Sequence, residues 1–220
     1  MKILELTLYT NQLENVKKFY SNHFETEISE ENNLQFSIQL GWTKLTFIKN
    51  NVEHFYHYAL MVSKSQFQTN FQWALQNLDV LETEENEYLA YFENWNAQSF
   101  YFYDGAGNLA EIIAHDDIDF SSNQEFTSNA ILGISEIGLP TTDIKATNFE
   151  IETLSGSTFW KGDYERFGTN GSAEGKILLP NYHVKKTWFP TNMEITPTPL
   201  KLLVEVNGKI STLSFLENNK

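Results

Sequence analysis

Asp104-Gly105-Ala106-Gly107-Asn108-Leu109-Ala110-Glu111-Ile112-Ile113 is a turn that runs directly into a strand. An aspartate ahead of two glycines supplies the side-chain oxygen and the conformational freedom of a tight reversal, and Asn108 to Ala114 then reads as a mainly apolar strand. Working back from it, Ser99 to Tyr103, Tyr88 to Glu93 and Val80 to Thr83 also read as strands. Ahead of these, Phe67, Phe71, Trp73, Ala74 and Leu78 recur at a helical period, and Tyr56 to Val62 opens the stretch as a strand. Strand, helix, then a run of strands is a βαβββ module.

The same order occurs upstream. Ile3 to Thr10 alternates, with Glu5, Thr7 and Tyr9 on one face and Leu4, Leu6 and Leu8 on the other. Asn11 suits a helix cap, and Val16, Phe19 and Tyr20 mark a helical stripe ending near His23. Thr26 to Ser29, Leu34 to Leu40 and Thr43 to Ile48 follow as strands. Downstream, Ile134 to Thr141 is a strand, and Phe149, Ile151 and Leu154 belong to a helix. Ser157 to Lys161, Lys176 to Leu179 and Lys185 to Phe189 then alternate as further strands. Glu5-Leu6-Thr7-Leu8-Tyr9-Thr10 aligns without a gap with Glu136-Ile137-Gly138-Leu139-Pro140-Thr141. A repeat of this period decides the architecture more strongly than any single propensity.

Leu200 to Val206, Asn207-Gly208 and Lys209 to Phe215 form a hairpin signal, because Asn-Gly supplies both positive-φ positions of a type I′ turn. It reads as the last hairpin of an incomplete fourth module, with Pro190, Pro197 and Pro199 in a connector before it. The expected class is α+β, built from repeated βαβββ modules. The expected division is paired modules over residues 1–115, a polar linker over 116–129, and a third module plus the closing hairpin over 130–220.

Hydrophobic residues make up 41% of the chain and aromatic residues 15%, enough for a core and too many for disorder. Lys and Arg number 15 against 29 Asp and Glu, for a formal net charge of -14, and Arg166 is the only arginine. So acidic a chain repels phosphate, which argues against nucleic acid and anionic membranes as partners. The absence of cysteine excludes disulfides, thiolate metal sites and cysteine nucleophiles. The N-terminal residues lack a signal-peptide profile and no apolar run approaches the roughly 20 residues that span a bilayer, so the expected location is cytoplasmic.

Three stretches together resemble the vicinal oxygen chelate superfamily of glyoxalase I, bleomycin-resistance proteins and extradiol dioxygenases. They are Tyr56-His57-Tyr58-Ala59-Leu60-Met61-Val62, the Asp104 to Ile113 turn and strand, and Phe19-Tyr20. The resemblance implies curved mixed sheets around a cleft, with metal ligands on the opening and closing strands of two paired modules. Carried over residue by residue, those positions are Glu5, Thr46, His57 and Glu111. His57 and Glu111 match the family; Glu5 stands where a histidine is usual, and Thr46 falls near the position of another glutamate.

The resemblance therefore implies one divalent ion (Mn, Fe, Zn or Mg) held by Glu5, His57 and Glu111. It would polarise two vicinal oxygens of a substrate while Glu5 or Glu111 takes a proton. That is the chemistry of a lyase, isomerase or ring-cleaving dioxygenase acting on a small oxygenated organic molecule. The departures at Glu5 and Thr46 also fit a metal-free protein of the bleomycin-resistance type, which would sequester an antibiotic or other hydrophobic ligand.

Tyr101 and Tyr103 should share the strand face opposite Phe100 and Phe102, and with Tyr9 and Trp42 could line the cleft. Glu136, although aligned with Glu5, reads as a solvated or hydrogen-bonded carboxylate, because the fragmentary fourth copy offers no histidine to join it. His23, His54, His115 and His183 sit at element ends or in a turn and call for no special role. The expected partner is a small-molecule ligand, and the expected state a monomer or homodimer.

Overall fold

A computed structural model describes residues 1–118 and 130–215, so the expected linker falls almost wholly outside the described residues. The first module comprises β1 (Lys2–Thr10), α1 (Leu13–His23), β2 (Ile28–Asn32), β3 (Gln35–Leu40) and β4 (Thr43–Lys49). The alternation along β1 is broken by a register slip between Ile3 and Glu5. That bulge puts Ile3, Leu6 and Leu8 on the buried face and leaves Leu4 off it. α1 buries Leu13, Val16 and Tyr20, and its N-cap is Gln12 rather than Asn11.

The second module is β5 (His57–Val62), α2 (Lys64–Asn77), β6 (Ala90–Phe92), a 3-10 turn over Glu93–Trp95, β7 (Ala97–Tyr103) and β8 (Leu109–His115). Val80 to Thr83 makes no strand; Leu81 alone bridges to Tyr101. The third module is β9 (Ile131–Gly138), α3 (Ile144–Ser155), β10 (Phe159–Gly162), β11 (Phe167–Ser172) and β12 (Gly175–Pro180). β11 has the sequence of a loop, with two glycines and an asparagine, and is held as a strand by pairing on both sides.

Lys185 to Phe189 is not a strand. The amides of Val184 and Lys185 turn back onto the Asn181 carbonyl at 2.9 and 2.8 Å. This stretch belongs instead to the irregular connector 181–199, where Thr187 bridges Glu194. The chain closes with β13 (Leu200–Val206) and β14 (Lys209–Phe215), joined through Asn207 and Gly208 at φ 51 and 79.

Every opening strand lies parallel to the closing strand of its own module: β1 with β4, β5 with β8, β9 with β12. The modules then combine differently from the expected pairing of first with second. The second and third join through antiparallel β5 and β9 into an eight-stranded sheet, ordered β10-β11-β12-β9-β5-β8-β7-β6. The first joins the hairpin through antiparallel β1 and β13 into a six-stranded sheet, ordered β14-β13-β1-β4-β3-β2. β13 thus stands to β1 as β9 stands to β5. The hairpin begins at the place of a fourth opening strand and is not the last hairpin of a module.

One continuous core lies between the sheets, with Leu6, Phe36 and Phe47 from one, Phe100, Ile112 and Ile134 from the other, and Val16, Tyr20 and Phe67 from the helices. Trp42 N donates to Leu132 O at 2.9 Å, and Thr43 Oγ1 joins Ile3 O to Ile134 N, tying the two sheets together. The class is α+β with mixed sheets. No helix among the described residues is long and apolar enough to cross a membrane. The opposite face of the eight-stranded sheet is left for a site.

Candidate metal centre

The turn from Asp104 to Asn108 sets the register of this face. Asp104 is buried and accepts from the amides of Ala106 and Asn108, from Asn108 Nδ2 and from Tyr58 Oη. Asn108 Oδ1 in turn accepts from Tyr56 N at 3.0 Å. The turn is thereby fastened to the N-terminal end of the β5–β8 pair, and Glu111 falls opposite Ala59.

Ala59 also lies opposite Glu136 on its other side, across the β5–β9 pair. Residues directly opposite in a sheet share a face, so the two carboxylates flank a methyl group too small to separate them. His57, two residues from Ala59, projects on the same side. Ligand atoms of His57, Glu111 and Glu136 all lie within 4.8 Å of one another, and the three side chains are buried. Leu178 stands opposite Gly138 as Glu111 stands opposite Ala59, so the third module contributes an apolar residue where the second contributes a ligand.

His57 Nδ1 lies 3.1 Å from the Leu109 carbonyl, which can only accept, so the proton sits on Nδ1. Nε2 is left with its lone pair, 3.5 Å from Glu111 Oε2. Burial lowers the imidazole to about 4, so the ring is neutral at physiological pH. Burial, and then the neighbouring Glu136, push the Glu111 carboxyl well above the usual carboxylate range, while Ser99 and Tyr101 favour its ionised form. Burial also raises Glu136, and Lys176 opposes the rise.

Lys176 is fully buried, with Nζ 2.8 Å from Glu136 Oε1 and 3.1 Å from His115 Nε2. The faces of Trp95 and Trp160 lie 5.0 and 5.4 Å from that ammonium. His115, expected to have no special role, is buried, and its Nδ1 lies 3.2 Å from Trp95 O. Its lone pair on Nε2 therefore accepts from Lys176. A neutral imidazole and two carboxyl groups this close together form a group that can hold a divalent ion. Lys176 takes one oxygen of Glu136 and leaves the other.

His57, Glu111 and Glu136 form the buried, inner end of a cavity of about 260 Å³. The connector 181–199 closes it from above: the Trp188 ring lies 4.8 Å from the His57 ring, and Lys185 and Phe189 join it in the wall. Gly138 permits that approach, since a Cβ there would lie 2.6 Å from the Trp188 ring. Arg166 lines the same cavity. Burial, with Arg166 nearby, lowers the Lys185 amine to about 8.

The expected site residues divide accordingly. His57, Glu111 and Tyr101 come together in the cavity. Glu5 does not join them: it lies in the six-stranded sheet, 44% exposed, with Lys44 Nζ 3.1 Å from its carboxylate. Thr46 is on that same sheet, hydrogen-bonded to Ser37 at 2.8 Å. Tyr9 also belongs to it, and Trp42 packs against Gly133 beside Met61 and Ile113, outside the cavity lining. Tyr103 points as expected away from Phe100 and Phe102 but is 40% exposed and outside the cavity. Glu136 is the hydrogen-bonded alternative and not the solvated one, 3% exposed and paired to Lys176, and it lies beside His57 and Glu111. Its alignment with Glu5 was the available signal. For Lys176 the signal was a lysine in the otherwise apolar strand Gly175–Pro180.

No protein-family model matches the sequence, and no curated protein sequence does. Solved structures do match. A proposed dioxygenase from Bacillus subtilis is 15% identical, aligns with 96% of this chain and 68% of its own, and superposes with a TM-score of 0.56. Glyoxalase I from Zea mays is 13% identical over 84% of this chain and 69% of its own, with a TM-score of 0.54. The chain has the βαβββ fold of these glyoxalase and dioxygenase structures.

Proposed function

We propose that the chain is a divalent-metal-dependent enzyme acting on a small oxygenated organic molecule, as a lyase, isomerase or ring-cleaving dioxygenase. The observation that carries this is the buried group of His57, Glu111 and Glu136, with its ligand atoms within 4.8 Å of one another at the inner end of a cavity. His57 Nε2 and one oxygen from each carboxylate would hold Mn, Fe, Zn or Mg. When bound, such an ion supplies Lewis acidity to two neighbouring oxygens of the substrate.

The side chains divide the remaining work. Glu136 is anchored by Lys176 and keeps its place. Among the described residues Glu111 has no lysine or arginine in ion-pair distance, and its raised proton affinity suits it to take a proton from carbon. The Tyr101 hydroxyl, held protonated by burial and by Glu111, donates to that carboxylate and steadies it. Trp188 and Phe189 give the cavity an apolar wall beside His57 and Tyr101. The likeness of the fold to glyoxalase I supports the reading without selecting a reaction.

Metal analysis of protein purified without chelator tests it. One equivalent of a divalent ion, lost in His57→Ala, is expected; a trace amount unchanged by that substitution would refute it. One observation favours a second reading, a metal-free protein that binds a hydrophobic ligand or antibiotic: Lys176 already supplies a positive charge to Glu136. Such a protein would be stabilised by its ligand in EDTA as fully as in added metal.

A further inference from the structure

We infer that the outer end of the cavity is a carboxylate-binding site made by Arg166 and Lys185, and that the molecule bound there is a small monocarboxylate with an apolar body. The inference rests on reading the cavity as the substrate site and names the class of substrate it takes.

The chain carries a formal charge of -14, yet its only arginine and a lysine from a different segment line the same cavity. Arg166 comes from the turn between β10 and β11. The Asp163 carboxylate fixes that turn by accepting from the amides of Glu165 and Arg166 at 2.8 and 2.6 Å. Lys185 comes from the connector, and its Nζ donates to Thr187 O at 2.6 Å, which leaves two of its three protons. Among the described residues neither side chain has a carboxylate in ion-pair distance. Asp163 offsets part of the Arg166 charge, but the two cations still repel each other beside one small cavity, and an anion seated between them removes that cost. A guanidinium fork and one point charge match the two oxygens and single charge of a carboxylate.

The inner end gives the ligand a direction. His57, Glu111 and Glu136 are buried and Arg166 is exposed, so a carboxylate held by Arg166 and Lys185 sits toward the mouth and the opposite end of the molecule meets His57, Glu111 and Glu136. The rest of the lining is mainly aromatic, with Phe92, Tyr101, Trp188 and Phe189. The volume, about 260 Å³, is below the range of roughly 300–1,000 Å³ usual for drug-sized ligands. It suits an acid of one ring or a short branched chain.

The test compares 3-phenylpropanoate with its neutral isostere 3-phenylpropanamide, followed by quenching of tryptophan fluorescence in the full chain, in EDTA and again with Mn²⁺. The wild-type protein should bind the acid at least tenfold more tightly than the amide, in EDTA as well as in Mn²⁺. Arg166→Gln and Lys185→Met should each weaken the acid by about tenfold, leave the amide unchanged, and retain the wild-type melting temperature. Equal binding of acid and amide, no binding of the acid, or a preference that survives both substitutions would overturn the inference. A carboxylate preference in a chain that takes up no Mn²⁺ would sustain the inference and remove the metal proposal. Mn²⁺ uptake without the preference would do the reverse.

Discussion

Glu5 and Glu136 hold the same place in their modules, and each faces a lysine at the matching position of its parallel neighbour, Lys44 and Lys176. One pair is half exposed and the other buried. What separates them is the strand on the other side: β5 brings His57 and, through Ala59, Glu111 to the second pair. In sequence the two glutamates look alike, so His57 and Glu111 were legible as site residues and their third partner was not. The titration of these groups has a definite sign. Glu111 binds its proton more tightly folded than unfolded, so its contribution to stability falls as pH rises from the ordinary carboxylate range through its folded value. His57 acts oppositely: lowered to about 4, it contributes stability above about 6.5 that is lost as pH falls. In EDTA at pH 8, Glu111→Gln should therefore raise the melting temperature by about 2–4 °C or more, the response of a chain this size to about 1 kcal/mol. The gain should vanish near pH 4.5. A loss at pH 8, or an equal gain at both pH values, would contradict it.

Elements with their own punctuation were the ones that sequence could specify. Asn207-Gly208 forces its hairpin, and Asp104 gathers its turn through four donors. Asp104→Ala leaves those donors buried without an acceptor and should cost about 3 kcal/mol or more in urea unfolding. A loss below about 1 kcal/mol would show that the turn does not depend on the carboxylate. β11 was illegible because its pairing partners, not its residues, make it a strand. Lys185 to Phe189 has more consequence for the site. An alternating run that looks like a strand is instead the connector that lays Trp188 over His57, and local periodicity cannot register that tertiary demand. The substitution Ala59→Leu tests the face it covers. It should remove metal uptake by filling the gap between Glu111 and Glu136, at about 1–3 kcal/mol of overpacking. Undiminished metal content in a folded Ala59→Leu protein would refute that placement.

At the scale of the molecule, the repeated module was readable and the way modules pair was not. A strand's pattern fixes which face is apolar, not which of several similar neighbours it meets. The observed pairing makes each half of the chain incomplete: β1 needs β13 and β5 needs β9. A fragment ending at residue 118 exposes both of these edges and should aggregate or remain unfolded. A monomeric fragment with a cooperative melt would contradict the pairing. The pairing is also what assigns the third ligand, and calorimetric titration of Mn²⁺ into metal-free full-length protein tests that assignment most directly. One site per chain is expected, weakened at least about tenfold in Glu136→Gln and unaltered in Glu5→Gln. Loss of the site in Glu5→Gln with full affinity in Glu136→Gln would contradict it.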